Sequence, residues 1–230
     1  MFEAKEVKQN TVSAKGQIRE SFQLQIYDIE NASLRILFVG NSITYHEPNA
    51  KIGWNASWGM AASCRENDYV HQAVQMLQKK HETVGFGIAQ VANWEQVFDV
   101  VTSEEWQKPY IGVSEFQADV VVIRLGENIP SNKVDLPNIK QYIEEMIEFF
   151  SVNAKQVIVT DNFWKREKLD NILSEVCEEK GYTFCRISDL YEDKSTMALG
   201  QFEHEGVALH PSDYGMEMIA KRIVSCVEEF

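Results

Sequence analysis

"LRILFVGNSITYH", residues 34–46, is the stretch on which the fold turns. An apolar run from Leu34 to Val39, broken only by Arg35, meets Gly40-Asn41-Ser42, with Thr44 and His46 close behind. A short run that is apolar almost throughout is a strand buried on both faces, the pattern of a parallel sheet. Gly, Asn and Ser are common turn formers, so the simple reading of its end is a turn. The sharper reading is a serine nucleophile presented at a strand's carboxyl end.

Similar runs recur downstream. "TVGFGIAQV" (83–91), "ADVVVIRLG" (118–126), "AKQVIVTD" (154–161) and "YTFCRIS" (182–188) read as further strands, the second of these apolar like a central one. Between them the period changes. Residues 64–80 place Tyr69, Val70, Ala73, Val74 and Leu77 on one helical face. Helices are expected over 138–150 and over 164–180, the latter closed by Gly181, and a last one from an N-cap at Ser212. Strands alternating with helices predict an α/β fold. The specific expectation is a flavodoxin-like three-layer α/β/α domain over 34–230. Its five-stranded, mainly parallel sheet takes the order 2-1-3-4-5, counted from Leu34. Residues 1–33 are then an N-terminal extension, and "QIRESFQLQIYD" (17–28) alternates enough for an edge strand.

The bulk properties narrow the function. The chain has 230 residues, 44% of them hydrophobic and 25% charged, enough for a real core. A net charge of −13 repels nucleic acid and anionic lipid, so neither is expected as a partner. The start, "MFEAKEVKQN", has no apolar signal region, and no stretch nears 18 apolar residues. Cys64, Cys177, Cys185 and Cys226 form no CxxC pair and read as reduced thiols of a cytoplasmic protein. His46-Glu47 and Glu203-His204-Glu205 lack metal-ligand spacing, so no metal is expected.

In such a sheet, functional residues gather just beyond the carboxyl ends of the strands. Those positions hold Asn41, Ser42 and Thr44, then Ala92, Asn93 and Trp94, then Gly126, Glu127 and Asn128, then Asp161 to Trp164. The loop before the last helix, "FEHEGVALHPSD", adds His204 and His210. Acyl transfer needs such a set. A serine hydroxyl needs a base to take its proton, and the developing oxyanion needs fixed donors.

"VGNSIT", "RLGEN" and "LHPSDYG" resemble, in order and spacing, three motif blocks of the SGNH (GDSL-like) hydrolases over roughly residues 34–228. The "IGWNASWGMAAS" run that follows resembles a GNSIT-type bacterial subgroup. The resemblance implies ester hydrolysis without a cofactor. It makes Ser42 the nucleophile and first oxyanion donor through its N–H, Asn128 the side-chain donor, and His210 the base.

The chain departs from the family pattern in three places. Asn41 stands where the family has Asp. Ala92 or Asn93 replaces the oxyanion glycine, and Asn93 is read as either a donor or a helix cap. Val207 occupies the usual position of the acid. Glu205 could reach His210 instead, or a backbone carbonyl could, with Glu203 a poorer candidate. Trp94 and Trp164 follow strand ends and suit a substrate cleft, though core packing or a loop anchor is an equal reading.

The function expected is a serine esterase on small acyl esters, such as acetyl groups on carbohydrate. An acyltransferase on the same scaffold is the near alternative. A flavodoxin-like binding module, with "GNSIT" as a hydroxyl-rich phosphate loop, is the distant one. The oligomeric state is not legible.

Overall fold

A computed structural model describes residues 23–228. Most of the expected extension, and residues 17–22 of the expected edge strand, lie outside the described residues.

The strands are β1 (Leu24–Tyr27), β2 (Leu34–Gly40), β3 (Val84–Gln90), β4 (Val120–Arg124), β5 (Gln156–Thr160) and β6 (Thr183–Cys185). They form one sheet in the order β1-β3-β2-β4-β5-β6. The strands from β2 onward are parallel and follow the order expected from the sequence. β1 adds a sixth strand, antiparallel to β3, with Leu24 opposite Ala89.

The helices are α1 (Tyr69–Leu77), α2 (Ala92–Val97), α3 (Ser103–Gln107), α4 (Val113–Phe116), α5 (Ile139–Phe150), α6 (Glu167–Lys180), α7 (Glu205–Ala208) and α8 (Asp213–Cys226). They cover both faces of the sheet. Ile36, Phe38, Val120 and Val122 point to one side, where α1 and α8 pack. Leu37, Val39, Val121 and Ile123 point to the other, toward α2 to α6. Alternate residues of one strand therefore enter different cores, which is why these strands are apolar without alternation. Each such fully buried Ile, Val or Phe contributes about 1.5–3 kcal/mol.

The helix expected over 64–80 is shorter at both ends. Asp68 caps it by accepting from the His71 N–H, and residues 65–67 form a separate 3-10 turn. Gly181 (φ 71°) closes α6, and Ser212 caps α8 through the Gly215 N–H. The short helices between Ala92 and Phe116 carry no long apolar period, so the sequence did not announce them. Among the described residues, no helix is long and apolar enough to cross a membrane.

Candidate active site

Ser42 sits in a tight turn at the carboxyl end of β2, the strand between β3 and β4. The turn closes through Thr44 and Tyr45, whose N–H groups donate to the Asn41 carbonyl at 2.9 and 3.0 Å. Gly40 is required here: a Cβ would lie 2.6 Å from the Arg124 carbonyl oxygen and closer still to Thr44. Thr44 Oγ1 is buried against the Tyr69 hydroxyl at 2.9 Å. The Ser42 carbonyl accepts from the Met60 N–H at 2.8 Å. Ser42 Oγ lies 2.8 Å from His210 Nε2. Both hydroxyls of the loop thus have side-chain partners, which does not suit an open phosphate cradle.

His210 follows α7. Its Nδ1 lies 2.7 Å from the Gly206 carbonyl oxygen. A carbonyl can only accept, so Nδ1 carries the proton and the Nε2 lone pair faces Ser42. Trp164 stands edge-on to the imidazole, with ring centroids 4.9 Å apart, and its indole N–H donates to the Leu209 carbonyl at 3.1 Å. Burial pushes the imidazole down to about 4, with Arg124 and His46 adding to the effect and the Gly206 carbonyl opposing it. His210 is therefore neutral, and able to accept a proton, at ordinary pH.

Two expectations about this end of the site need correction. Glu205 is not the residue behind the histidine. It is exposed in the first turn of α7, and the same turn brings the Gly206 carbonyl onto Nδ1 instead. Glu203 is likewise exposed, and Val207 is buried. Trp164 packs against His210 and bonds to the loop before it; it is not among the residues lining the cleft.

Asn128 is held by a buried polar network. Its Nδ2 donates to Glu95 Oε2 at 2.6 Å. Glu95 Oε1 accepts from the Gly126 N–H at 2.5 Å and from Asn41 Nδ2 at 3.1 Å. Asn41 Nδ2 also donates to Glu127 Oε2 at 2.7 Å, and its Oδ1 accepts from the Arg124 guanidinium. Arg124, fully buried at the end of β4, donates to Glu127 Oε1 at 2.5 Å. Arg166 ties down the loop behind, donating to the carbonyls of Gly126 and Ile129 at 2.6 Å each.

Burial alone would raise Glu127, but the Arg124 guanidinium and the Asn41 amide hold its carboxyl below the usual range. Glu95 goes the other way. Burial and the Glu127 charge push it up to about 7, against the donors that surround it.

This network explains Asn41. Its amide supplies one N–H to each of two carboxylates, whereas an aspartate would supply none and would add a third negative charge. Sequence reading missed Glu95 altogether. The available signal was a carboxylate beside Trp94 in a segment whose other inward residues are apolar; Trp94 and Glu95 are the buried residues of α2.

Asn93, expected as an oxyanion donor or a helix cap, stands neither at the cleft nor at the cap position. Ala92, not Asn93, lines the cleft, because α2 begins at Ala92 and turns the next residue away. The Ala92 N–H donates to Gln90 Oε1 at 3.1 Å. Trp94 is a core residue rather than a cleft wall. It is buried, tilted against Phe98 at 5.2 Å and edge-on to Trp106 at 6.4 Å.

The cleft itself encloses about 410 Å³ and is lined by Ser42, Asn128 and His210 with Ile52, Met60 and Val207. Part of its wall is the segment after the serine. There Trp54 is buried edge-on to Trp58, and their indole N–H groups donate to the His46 and Ala62 carbonyls at 3.2 and 2.8 Å. Among the described residues, no group of three His, Cys, Asp or Glu side chains could hold a metal ion.

No family model matches the chain, and no curated protein does. Solved structures do. A catalytic mutant of an acetylxylan esterase from Geobacillus stearothermophilus aligns with a TM-score of 0.52 at 15% identity, over 86% of this chain and 96% of that one. A family 3 carbohydrate esterase from Clostridium thermocellum gives 0.55 at 14% identity, over 84% and 94%. A psychrotrophic esterase from Pseudoalteromonas sp., inhibited by monoethylphosphonate, gives 0.55 at 11% identity, over 84% and 96%.

Proposed function

We propose that this chain, which has the SGNH (GDSL-like) hydrolase fold, is a serine esterase that cleaves small acyl esters, acetyl esters of carbohydrates among them. The observation that carries the reading is the Ser42 hydroxyl 2.8 Å from an imidazole nitrogen that is free to accept its proton, in a cleft shared with Asn128.

His210 Nε2 takes the Ser42 proton as Oγ attacks the ester carbonyl. The Ser42 N–H and the second N–H of the Asn128 amide donate to the oxyanion, the first amide N–H being held by Glu95. The imidazolium then protonates the departing alcohol. A water molecule repeats the sequence to release the acid and free Ser42. The Gly206 carbonyl fixes the tautomer of His210 throughout. Carrying no full charge, it stabilises the imidazolium less than a carboxylate would, so the site works as a Ser–His dyad.

The carbohydrate part of the proposal draws on the two carbohydrate-active neighbours and on the small, largely apolar cleft, which suits a short acyl group. The test is hydrolysis of p-nitrophenyl acetate by the full chain, with Ser42→Ala as control. Turnover by the wild type and its loss in Ser42→Ala is the expected result; equal turnover by both contradicts it.

A further inference from the structure

We propose that Glu95 is the positioning residue of the oxyanion hole, acting through Asn128, and that Asn41 is what allows it to sit there beside Glu127. The inference rests on the esterase reading above and deepens it.

α2 follows β3, and its first turn carries Glu95 inward against the exits of β2 and β4. The side chain is fully buried, and every polar contact it makes there is with a donor: the Asn128 side chain on one oxygen, the Asn41 side chain and the Gly126 N–H on the other. The Asn128 N–H adds a longer contact at 3.4 Å. The neighbouring residue of α2, Gln96, donates to the Asn128 carbonyl. Asn128 is therefore gripped at side chain and backbone by one helical turn. An amide that must present a donor at a fixed point needs its other donor occupied, or rotation about its terminal torsion spreads it over several orientations.

Two carboxylates so close repel, and the site answers that locally. Arg124 neutralises Glu127 from the end of β4, and Asn41 donates to both acids from the end of β2. Arg124 and Glu127 are the charged groups facing Glu95 across this network; Asn41, Gly126 and Asn128 face it with neutral donors. The position preceding the nucleophile, where the family pattern places an acid, is thus an amide here, and a carboxylate stands on α2 instead.

Glu95→Gln separates positioning from architecture. The glutamine carbonyl can still accept from Asn41 and Gly126. Its amide then replaces Oε2 and meets the Asn128 amide donor to donor, so the Asn128 contact is the one lost. The measurement is kcat and KM for p-nitrophenyl acetate in the wild type, Glu95→Gln, Asn128→Ala and the double variant, with melting curves for each. Loss of an oxyanion donor costs about 100-fold in kcat, and misplacing it should cost on the order of 10- to 100-fold, with KM little changed. Because Glu95 acts through Asn128, the double variant should be no slower than Asn128→Ala alone.

A Glu95→Gln variant with wild-type kcat overturns the proposal, as does a double variant slower by the product of the two single effects. If Glu95→Gln does not fold, the wild type and Asn128→Ala decide. The wild-type kcat should rise through an ionisation near 7 that Asn128→Ala lacks, and the same rise in both overturns the proposal. A wild type that neither turns over nor reacts at Ser42 overturns the esterase reading and this inference with it. A wild type that does both, beside an unaffected Glu95→Gln, overturns this inference alone.

Discussion

Asn41→Asp exchanges one atom group and should cost the fold dearly. Asn41 Nδ2 donates to Glu95 Oε1 at 3.1 Å and Glu127 Oε2 at 2.7 Å, all of it buried. A carboxylate at 41 loses both bonds. Hydrogen bonds to charged groups contribute about 1.5–3 kcal/mol each, so the direct loss is about 3–6 kcal/mol. The Arg124 guanidinium, already bonded to Asn41 Oδ1, gains an ion pair and offsets part of that. Repulsion from Glu95 and Glu127 works against the offset. A net cost of about 3 kcal/mol lowers the melting temperature by about 6–12 °C for a domain of this size.

A carboxylate at 41 would face Glu95 and Glu127, and repulsion among the three is relieved as they take up protons, so the deficit should shrink toward acid and grow as pH rises. Calorimetric melts of both proteins at pH 5 and pH 8 measure this. A melting temperature within about 2 °C of wild type at pH 8, or a deficit that grows toward acid, refutes the reasoning about this network.

Other outcomes follow from the same geometry. The His210 imidazole, pushed down to about 4, stays unprotonated through mild acid, so the Glu95→Gln enzyme should show one acid limb in kcat/KM near 4. The wild type should show an earlier step near 7 as well, and a single limb at 6–7 in Glu95→Gln contradicts a base role for the buried, carbonyl-bonded His210. The depressed imidazole also means that the unfolded chain binds the extra proton first, so its contribution to stability is lost as pH falls from about 6.5 toward 4. Glu205→Gln and Glu203→Gln should each keep kcat within about twofold of wild type, since both side chains are exposed; a loss of 100-fold or more in either would restore an acid behind His210.

What could be read from the sequence, and what could not, divides along physical lines. The parallel strands were legible because burial on both faces turns them into apolar runs such as Val120–Ile123. That Ser42, Asn128 and His210 meet in one cleft was legible because the ends of strands and the entry to α8 concentrate polar residues in short motifs. A backbone carbonyl behind His210 was one of the readings open from the sequence, but that it belongs to Gly206 was not legible, because any residue has one.

Glu95 was legible only as a carboxylate beside Trp94; its contacts arise where α2 meets the exits of β2 and β4, and no spacing in the chain announces that meeting. Trp94 misled because following a strand end usually means facing the cleft, but the first turn of α2 rotates it onto Phe98 and Trp106. Glu205 misled because linear reach to His210 is adequate, while the turn of α7 points it outward and aims its neighbour's carbonyl inward.

Ser42 is proposed as a nucleophile that His210 activates, and a fluorophosphonate probe tests that in one step. Intact-mass and peptide mass spectrometry of the wild type should find a single phosphonyl adduct on Ser42, with labelling much slower in His210→Ala and absent in Ser42→Ala. Folded wild-type protein that takes no label, or takes it at another residue, contradicts the account.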